Sequence, residues 1–127
     1  MSKTEQPRLR FRELVGSLAD DDERRFALAE LNDLLAGLTR AEFSGAVSDA
    51  PDMGLSPYWQ NYVAAMVELA AHQKDVSPPR WLSGIEPLTE PHFVTPLASL
   101  RFHLLRAAPV PFRRRNIFVD SSIGDRV

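Results

Sequence analysis

The sequence predicts a mainly α-helical fold, with about four helices in a single domain that spans residues 1–127. Two observations predict this class. Only Pro7 falls in the first 50 residues, whereas nine prolines lie in the remaining 77, so the early segments are free to form long helices. Apolar residues also recur three and four positions apart in several segments, which is the spacing of one helix face.

Two helices are predicted in the first part of the chain. The first runs over residues 8–18 and presents one apolar face, formed by Phe11, Leu14, Val15 and Leu18. The second follows the acidic run 20–23, which supplies a candidate N-cap and acids for a first turn, where the helix dipole favours negative charge. Its apolar face, through about Thr39, consists of Phe26, Leu28, Leu31, Leu34, Leu35 and Leu38. We expect residues 1–7 to be flexible.

A break and then a third helix are predicted next. Small polar residues with Gly45, Pro51 and Gly54 indicate the break, from Ser44 to Leu55. Ser56-Pro57 is an N-cap followed by proline at the first helical position, and it predicts a helix to about Gln73. Its apolar stripe is broad enough to be central to the core, and comprises Tyr58, Trp59, Tyr62, Val63, Met66, Val67, Leu69 and Ala70.

The rest of the chain is rich in proline. Five prolines in residues 76–96 forbid a regular helix and predict an ordered coil over the surface. Large apolar residues would hold it to the core, namely Trp81, Leu82, Ile85, Leu88 and Phe93. A fourth helix is predicted from Thr95-Pro96 to about Ala108, with Leu97, Leu100, Leu104 and Leu105 on its apolar face. Residues 109–127 are predicted to be extended, with a β-like run at 117–119 that would pair with another strand, of this chain or of a partner.

Signatures of catalysis are missing from the sequence. It has no cysteine, and it lacks the glycine patterns that cradle phosphates or dinucleotides, the HExxH zinc motif and the GxSxG nucleophile motif. His72, His92 and His103 lie in different predicted elements and show no metal-ligand spacing. We therefore expect no cofactor, no metal, no catalytic residues and no enzyme activity. An enzyme with an unrecognised site remains an alternative, because distant carboxylates can meet in space.

The chain also lacks the signatures of a membrane protein. Its N-terminus is polar, and no run approaches the roughly 20 apolar residues that span a bilayer. Together with the absence of cysteine, which suits a reducing compartment, this leads us to expect a cytoplasmic protein with no membrane partner. The sequence is compatible with a homo-oligomer.

Charge is strongly segregated along the chain. Residues 1–12 carry a net charge of +3, residues 13–90 hold fourteen acids against five bases for −9, and residues 91–119 contain five arginines and no acid for +5. One interpretation is that the basic ends pair with the acidic middle, where each exposed pair contributes about 0–1 kcal/mol. The other is that a basic surface meets an anionic partner.

The feature that most directly suggests a chemical role is the arginine run 113–115. Guanidinium groups are permanently charged and can hold a carboxylate or a phosphate with two hydrogen bonds. In an extended segment the first and third arginines share one side and the second faces the other, so one or two would pair internally while the remainder project outward. The predicted partner-binding residues are Phe112, Arg113, Arg114, Arg115, Asn116 and Phe118. The alternative is that the arginines form ion pairs with the acidic helices and so hold the C-terminal segment against them.

The C-terminal half resembles a group of small bacterial proteins. The likeness rests on the sequences SPPRWL at 77–82, EPHF at 90–93, the leucine helix at 97–106 and APVPFRRRNIFV at 108–119. It covers roughly residues 57–127. These proteins are associated with genes for nucleotidyltransferase-like toxins and look like their antitoxins.

The resemblance implies an antitoxin that neutralises a co-encoded toxin by direct protein–protein binding. It implies that the antitoxin covers the nucleotide or substrate site of the toxin, and that the arginine segment meets the acidic, metal-binding residues there. Buried arginine–carboxylate contacts would give such a complex specificity and slow release. The alternative partner is nucleic acid, bound by a transcriptional regulator. It is the weaker interpretation, because the basic run is short and the whole chain carries a net charge of −2.

Overall fold

The computed structural model of the protein describes residues 5–51, 54–93 and 108–119, and the predicted mainly helical class is confirmed. The elements in chain order are α1 (Glu5–Ser17), α2 (Arg24–Gly37), α3 (Arg40–Ala46), α4 (Pro57–Lys74), a 3-10 helix (Arg80–Gly84), β1 (His92–Phe93), α5 (Val110–Arg113) and β2 (Ile117–Phe118). The helix predicted before Ala108 lies outside the described residues.

Helix α1 buries the face that its sequence predicts. Phe11, Leu14, Val15 and Leu18 are each at most 3% exposed, and they pack against α2 and α3. The helix begins at Glu5, three residues before the start predicted at residue 8. A two-pronged ion pair from Arg8 to Asp49, with distances of 2.7 and 2.9 Å, joins α1 to the segment after α3.

The start of α2 differs from the sequence prediction. The helix begins at Arg24, after the acidic run, and Glu23 at the N-cap position makes no side-chain capping hydrogen bond. Asp20 instead accepts a hydrogen bond from the amide of Asp22 at 2.8 Å, which closes a local turn. The acids therefore shape a turn ahead of the helix rather than its first turn.

The buried face of α2 matches the predicted one except at its start. Leu31, Leu35 and Leu38 are buried as expected, and Leu28 and Leu34 pack partly buried against the core. Phe26 was also expected in the core, but it is 63% exposed, and the neighbouring Ala27 is buried instead. Residues 27, 31 and 35 repeat every four positions, so Ala27 continues the buried row of one helix face.

A short helix occupies part of the predicted break. Helix α3 carries a capping box, in which the Thr39 hydroxyl accepts from the Glu42 amide at 3.2 Å and the Glu42 carboxylate accepts from the Thr39 amide at 2.9 Å. Phe43, which is fully buried, and Ala46 anchor it in the core. The predicted break is therefore wrong for residues 44–46, which are helical. The Thr-x-x-Glu signature at residues 39–42 marks the start of this helix.

We expect the variant Thr39→Ala to lower the free energy of unfolding by about 1 kcal/mol, because it removes the acceptor that satisfies a helix-terminal amide. Urea denaturation of the purified protein measures this loss. Thr39→Ser keeps the hydroxyl and is the matched control. A serine variant as unstable as the alanine variant would show that the methyl group, and not the cap, is responsible.

Helix α4 is central to the core, as predicted. Ser56 accepts from the amide of Trp59 at 3.3 Å and Pro57 occupies the first turn, so the predicted cap is confirmed. Nine of its residues are buried, namely Asn61, Tyr62, Val63, Ala64, Ala65, Met66, Val67, Ala70 and Ala71. Lys74 donates to the carbonyls of Ala36 and Leu38 at 3.0 and 2.6 Å, and this fixes the end of α2 against α4.

The proline-rich coil is ordered over residues 76–93 and is held as predicted. Leu82 is buried, and the side chains of Trp81, Ile85 and Leu88 pack partly buried against the core. The Trp81 indole also donates to the carbonyl of Val47 at 2.8 Å. The structure does not describe the side chain of Phe93, so its predicted contact lies outside the described part of the chain. Residues 94–96 also lie outside the described residues.

The β-like run at the C-terminal end pairs within the chain. Strand β2 lies parallel to β1, with His92 opposite Ile117 and Phe93 opposite Phe118. The amide of His92 donates to the carbonyl of Asn116 at 2.7 Å. The pairing holds β2 against the end of the proline-rich coil. It therefore also positions the arginine run, which directly precedes β2.

Candidate partner-binding site

The arginine run lies in a helical turn, and not in the extended segment that the sequence predicts. The amides of residues 112–116 donate to carbonyls three or four positions earlier, each at 3.0 Å. Asn116 then adopts the left-handed region at φ 63°, which ends the turn and starts β2. Side chains at 113, 114 and 115 therefore point about 100° apart instead of alternating between two sides.

Arg115 faces inward and is 7% exposed. Its guanidinium donates to the carbonyl of Leu82 at 2.9 Å, to the carbonyl of Ile85 at 3.0 Å and to the side-chain oxygen of Asn61 at 2.8 Å. Burial lowers the pKa of Arg115, whereas the negative charge of Glu68 raises it. Arg115 thus holds the 3-10 helix and the coil after it against α4.

Asn61 completes this buried polar cluster and was not singled out from the sequence. Its amide nitrogen donates to the carbonyls of Pro57 at 2.9 Å and Glu86 at 3.0 Å, while its oxygen accepts from Arg115. Asn61 is 1% exposed. An asparagine in the apolar stripe of α4 was the available signal, because a buried amide needs partners for both its nitrogen and its oxygen.

Three more of the predicted partner-binding residues also contact their own chain. Phe112 is fully buried and its ring packs edge-on against Tyr62 with 5.2 Å between centroids. The Asn116 side chain donates to the carbonyl of Leu88, and Phe118 is 8% exposed. With Arg115, four of the six predicted residues therefore anchor the turn.

Arg114 lies at the surface and forms an ion pair. Its guanidinium donates to Glu68 of α4 at 2.8 Å, with the arginine side chain 62% exposed and the glutamate 14% exposed. The exposed His72, one turn later on α4, lies 3.9 Å from the same carboxylate oxygen. An ion pair this exposed contributes only about 0–1 kcal/mol, so Arg114 is free to exchange its partner at little cost.

Arg113 is exposed, and its guanidinium forms no hydrogen bond or ion pair with a residue of the described ranges. Val110 precedes it by one turn and is 47% exposed, an unusual position for a valine. Residues 110, 113 and 114 share one face of a helical turn. This surface, Val110 with Arg113 and Arg114, is called the arginine face below, and it joins one apolar side chain to two guanidinium groups.

Comparisons of the chain with protein-family models, with curated proteins and with solved structures found no match. Within residues 5–51, 54–93 and 108–119, no three histidine or acidic side chains come together as a metal site would require. Across the same part of the chain, no helix has the length and apolar character needed to cross a membrane.

Proposed function

We propose that this protein is an antitoxin-like inhibitor that neutralises a nucleotidyltransferase-like toxin by direct binding through the arginine face. The observation that carries the proposal is the division of the arginine run. Arg115 fixes the turn from within, while Arg113 and Arg114 project to the surface beside Val110. Such an anchored turn supports binding because little backbone freedom remains to be lost on association.

The chemistry of the arginine face suits an acidic protein surface. A guanidinium holds a carboxylate through two parallel hydrogen bonds, and an exposed valine beside it excludes water from the contact. In the proposed complex Arg113 binds carboxylates of the toxin directly, and Arg114 exchanges Glu68 for a toxin carboxylate. The acidic, metal-binding residues of a nucleotidyltransferase-like toxin are the carboxylates that this surface would cover, which would block its activity stoichiometrically.

We expect the double variant Arg113→Ala, Arg114→Ala to bind such a toxin about a hundredfold more weakly than the wild type, because two charge pairs are lost from the contact. Calorimetric titration with the purified toxin from a neighbouring gene gives the affinity. A growth-rescue assay in cells expressing that toxin gives the neutralisation.

The matched control is Arg12→Ala, Arg80→Ala, which removes two exposed arginines outside the arginine face. It should bind and neutralise as the wild type does. A folded Arg113, Arg114 double variant with wild-type affinity and neutralisation would overturn the proposal. If the protein instead binds DNA, with affinity that falls steeply as salt is raised, the regulator is the better interpretation.

A further inference from the structure

A cleft of about 470 Å³ lies between α2 and α4. Its α2 wall is a stripe of one helix face, with Leu28 and Ala29 as the apolar part. Arg24 closes one end, where it stacks on the Trp59 ring at 4.8 Å and pairs with Asp21 at 2.7 Å. The volume is within the ordinary range for small-molecule sites, about 300–1,000 Å³.

Tyr62 lines the opposite wall of the cleft and is 6% exposed. Its ring contacts Tyr58, Trp59 and Phe112, but no residue of the described ranges forms a hydrogen bond with its hydroxyl. In the same part of the chain, every fully buried side-chain nitrogen or oxygen has a hydrogen-bond partner. The Tyr62 hydroxyl is therefore not fully buried, and Tyr62 lines the open space of the cleft.

Two further polar groups line the cleft without an internal partner among the described residues. Arg25 contributes an exposed guanidinium, and Asn32 contributes a half-buried amide two turns further along α2. Asp21, the acid in the lining, is already paired with Arg24. The lining groups that have no partner among the described residues are thus the Arg25 guanidinium, the Asn32 amide and the Tyr62 hydroxyl. All three can donate hydrogen bonds, and they lie beside the apolar walls of the cleft.

An oriented set of donors beside apolar walls matches one kind of ligand. A carboxylate accepts several hydrogen bonds and is attracted by a guanidinium, while Leu28, Ala29 and the Tyr62 ring offer contact to a small apolar group. Burial raises the pKa of Tyr62, so its hydroxyl stays protonated and can donate.

We propose that the cleft between α2 and α4 binds a small organic carboxylate with a compact apolar body, held by the Arg25 guanidinium, the Asn32 amide and the Tyr62 hydroxyl. This inference is independent of the proposed antitoxin function. The Arg113→Ala, Arg114→Ala variant should bind the carboxylate as the wild type does, so the two proposals can fail separately.

Benzoate is a suitable probe, followed by two-dimensional NMR of the full chain at constant ionic strength. We expect saturable shifts of the amides of residues 24–32 and of Tyr62. The variant Tyr62→Phe should weaken benzoate binding about tenfold, since it removes one hydrogen bond to a charged group. It should also melt at or above the wild-type temperature, because the hydroxyl it removes has no partner to lose.

Two controls test the chemistry of the ligand and of the wall. Benzyl alcohol keeps the ring but lacks the charge, and it should bind at least tenfold more weakly than benzoate. Arg25→Gln should weaken benzoate binding, whereas Arg80→Gln should not. Shifts that do not saturate, shifts outside this cleft, or a Tyr62→Phe variant that binds benzoate as tightly as the wild type would overturn the proposal.

Discussion

Replacing Arg115 with methionine should lower the free energy of unfolding by about 3 kcal/mol. The substitution keeps a long apolar side chain but leaves the carbonyl of Ile85 and the oxygen of Asn61 without their donor. The Leu82 carbonyl keeps only its 3.3 Å hydrogen bond from the Ile85 amide. Each unsatisfied buried acceptor costs about 1–3 kcal/mol. Removing a buried cation relieves its desolvation and offsets part of this cost, but the three lost hydrogen bonds outweigh one relieved charge.

Chemical denaturation of the variant and the wild type measures the effect of Arg115→Met. Arg113→Met and Arg114→Met are the matched controls, because they make the same change at exposed positions in the same turn. We expect those two to change stability by less than about 1 kcal/mol. Equal stability of all three variants would show that the buried hydrogen bonds of Arg115 do not hold the coil to α4.

Phe112→Ala should cost about 3–5 kcal/mol, the usual loss for a fully buried aromatic side chain. Phe112 is 0% exposed and fills the space between α4 and β2, in edge-on contact with the Tyr62 ring. Truncation removes the apolar contact and leaves a cavity that helix α4, already packed on its other sides, cannot close.

Phe26→Ala makes the same chemical change at a position that is 63% exposed, and it should alter stability by less than about 0.5 kcal/mol. Thermal or urea unfolding of both variants compares them directly. If Phe26→Ala were the more damaging of the two, the placement of α2 with Ala27 inward would be wrong.

These stability effects decide how binding experiments should be interpreted. Variants of Phe112 and Arg115 are expected to weaken the fold, so a loss of toxin neutralisation in them would not identify a contact. Within residues 5–51, 54–93 and 108–119, the side chains of Arg113 and Arg114 make no comparable internal contact, apart from the exposed pair of Arg114 with Glu68. Only substitutions on the arginine face therefore separate partner binding from folding.

Local signals in the sequence predicted much of the secondary structure. Ser56-Pro57 placed the start of α4, and the spacing of Phe11, Leu14, Val15 and Leu18 identified the buried face of α1. These features depend on neighbours within one or two turns, which the sequence shows directly. Helix α3 was missed because the small residues after it resembled a break, although its capping box was present in the sequence.

The sequence did not predict how the three arginines of the run 113–115 divide between the interior and the surface. The run 112–118 was identified from its charge and its flanking aromatic residues, and the inference that one or two arginines pair internally agrees with the structure. Which arginine is buried depends on the turn conformation and on Asn61, Leu82 and Ile85, which lie 30 or more positions away. Spacing within the run carries no information about such distant acceptors.

The sequence by itself therefore determined the helical class, the N-terminal cap of α4, the position of the proline-rich coil and the basic C-terminal segment. Each follows from local backbone preferences and composition. Only the tertiary structure decided that Arg115 is buried while Arg113 and Arg114 are exposed, that Phe26 faces outward, and that β2 pairs with β1. Burial and strand pairing depend on which distant groups meet, because a buried donor or strand edge is stable only where the fold brings it a partner.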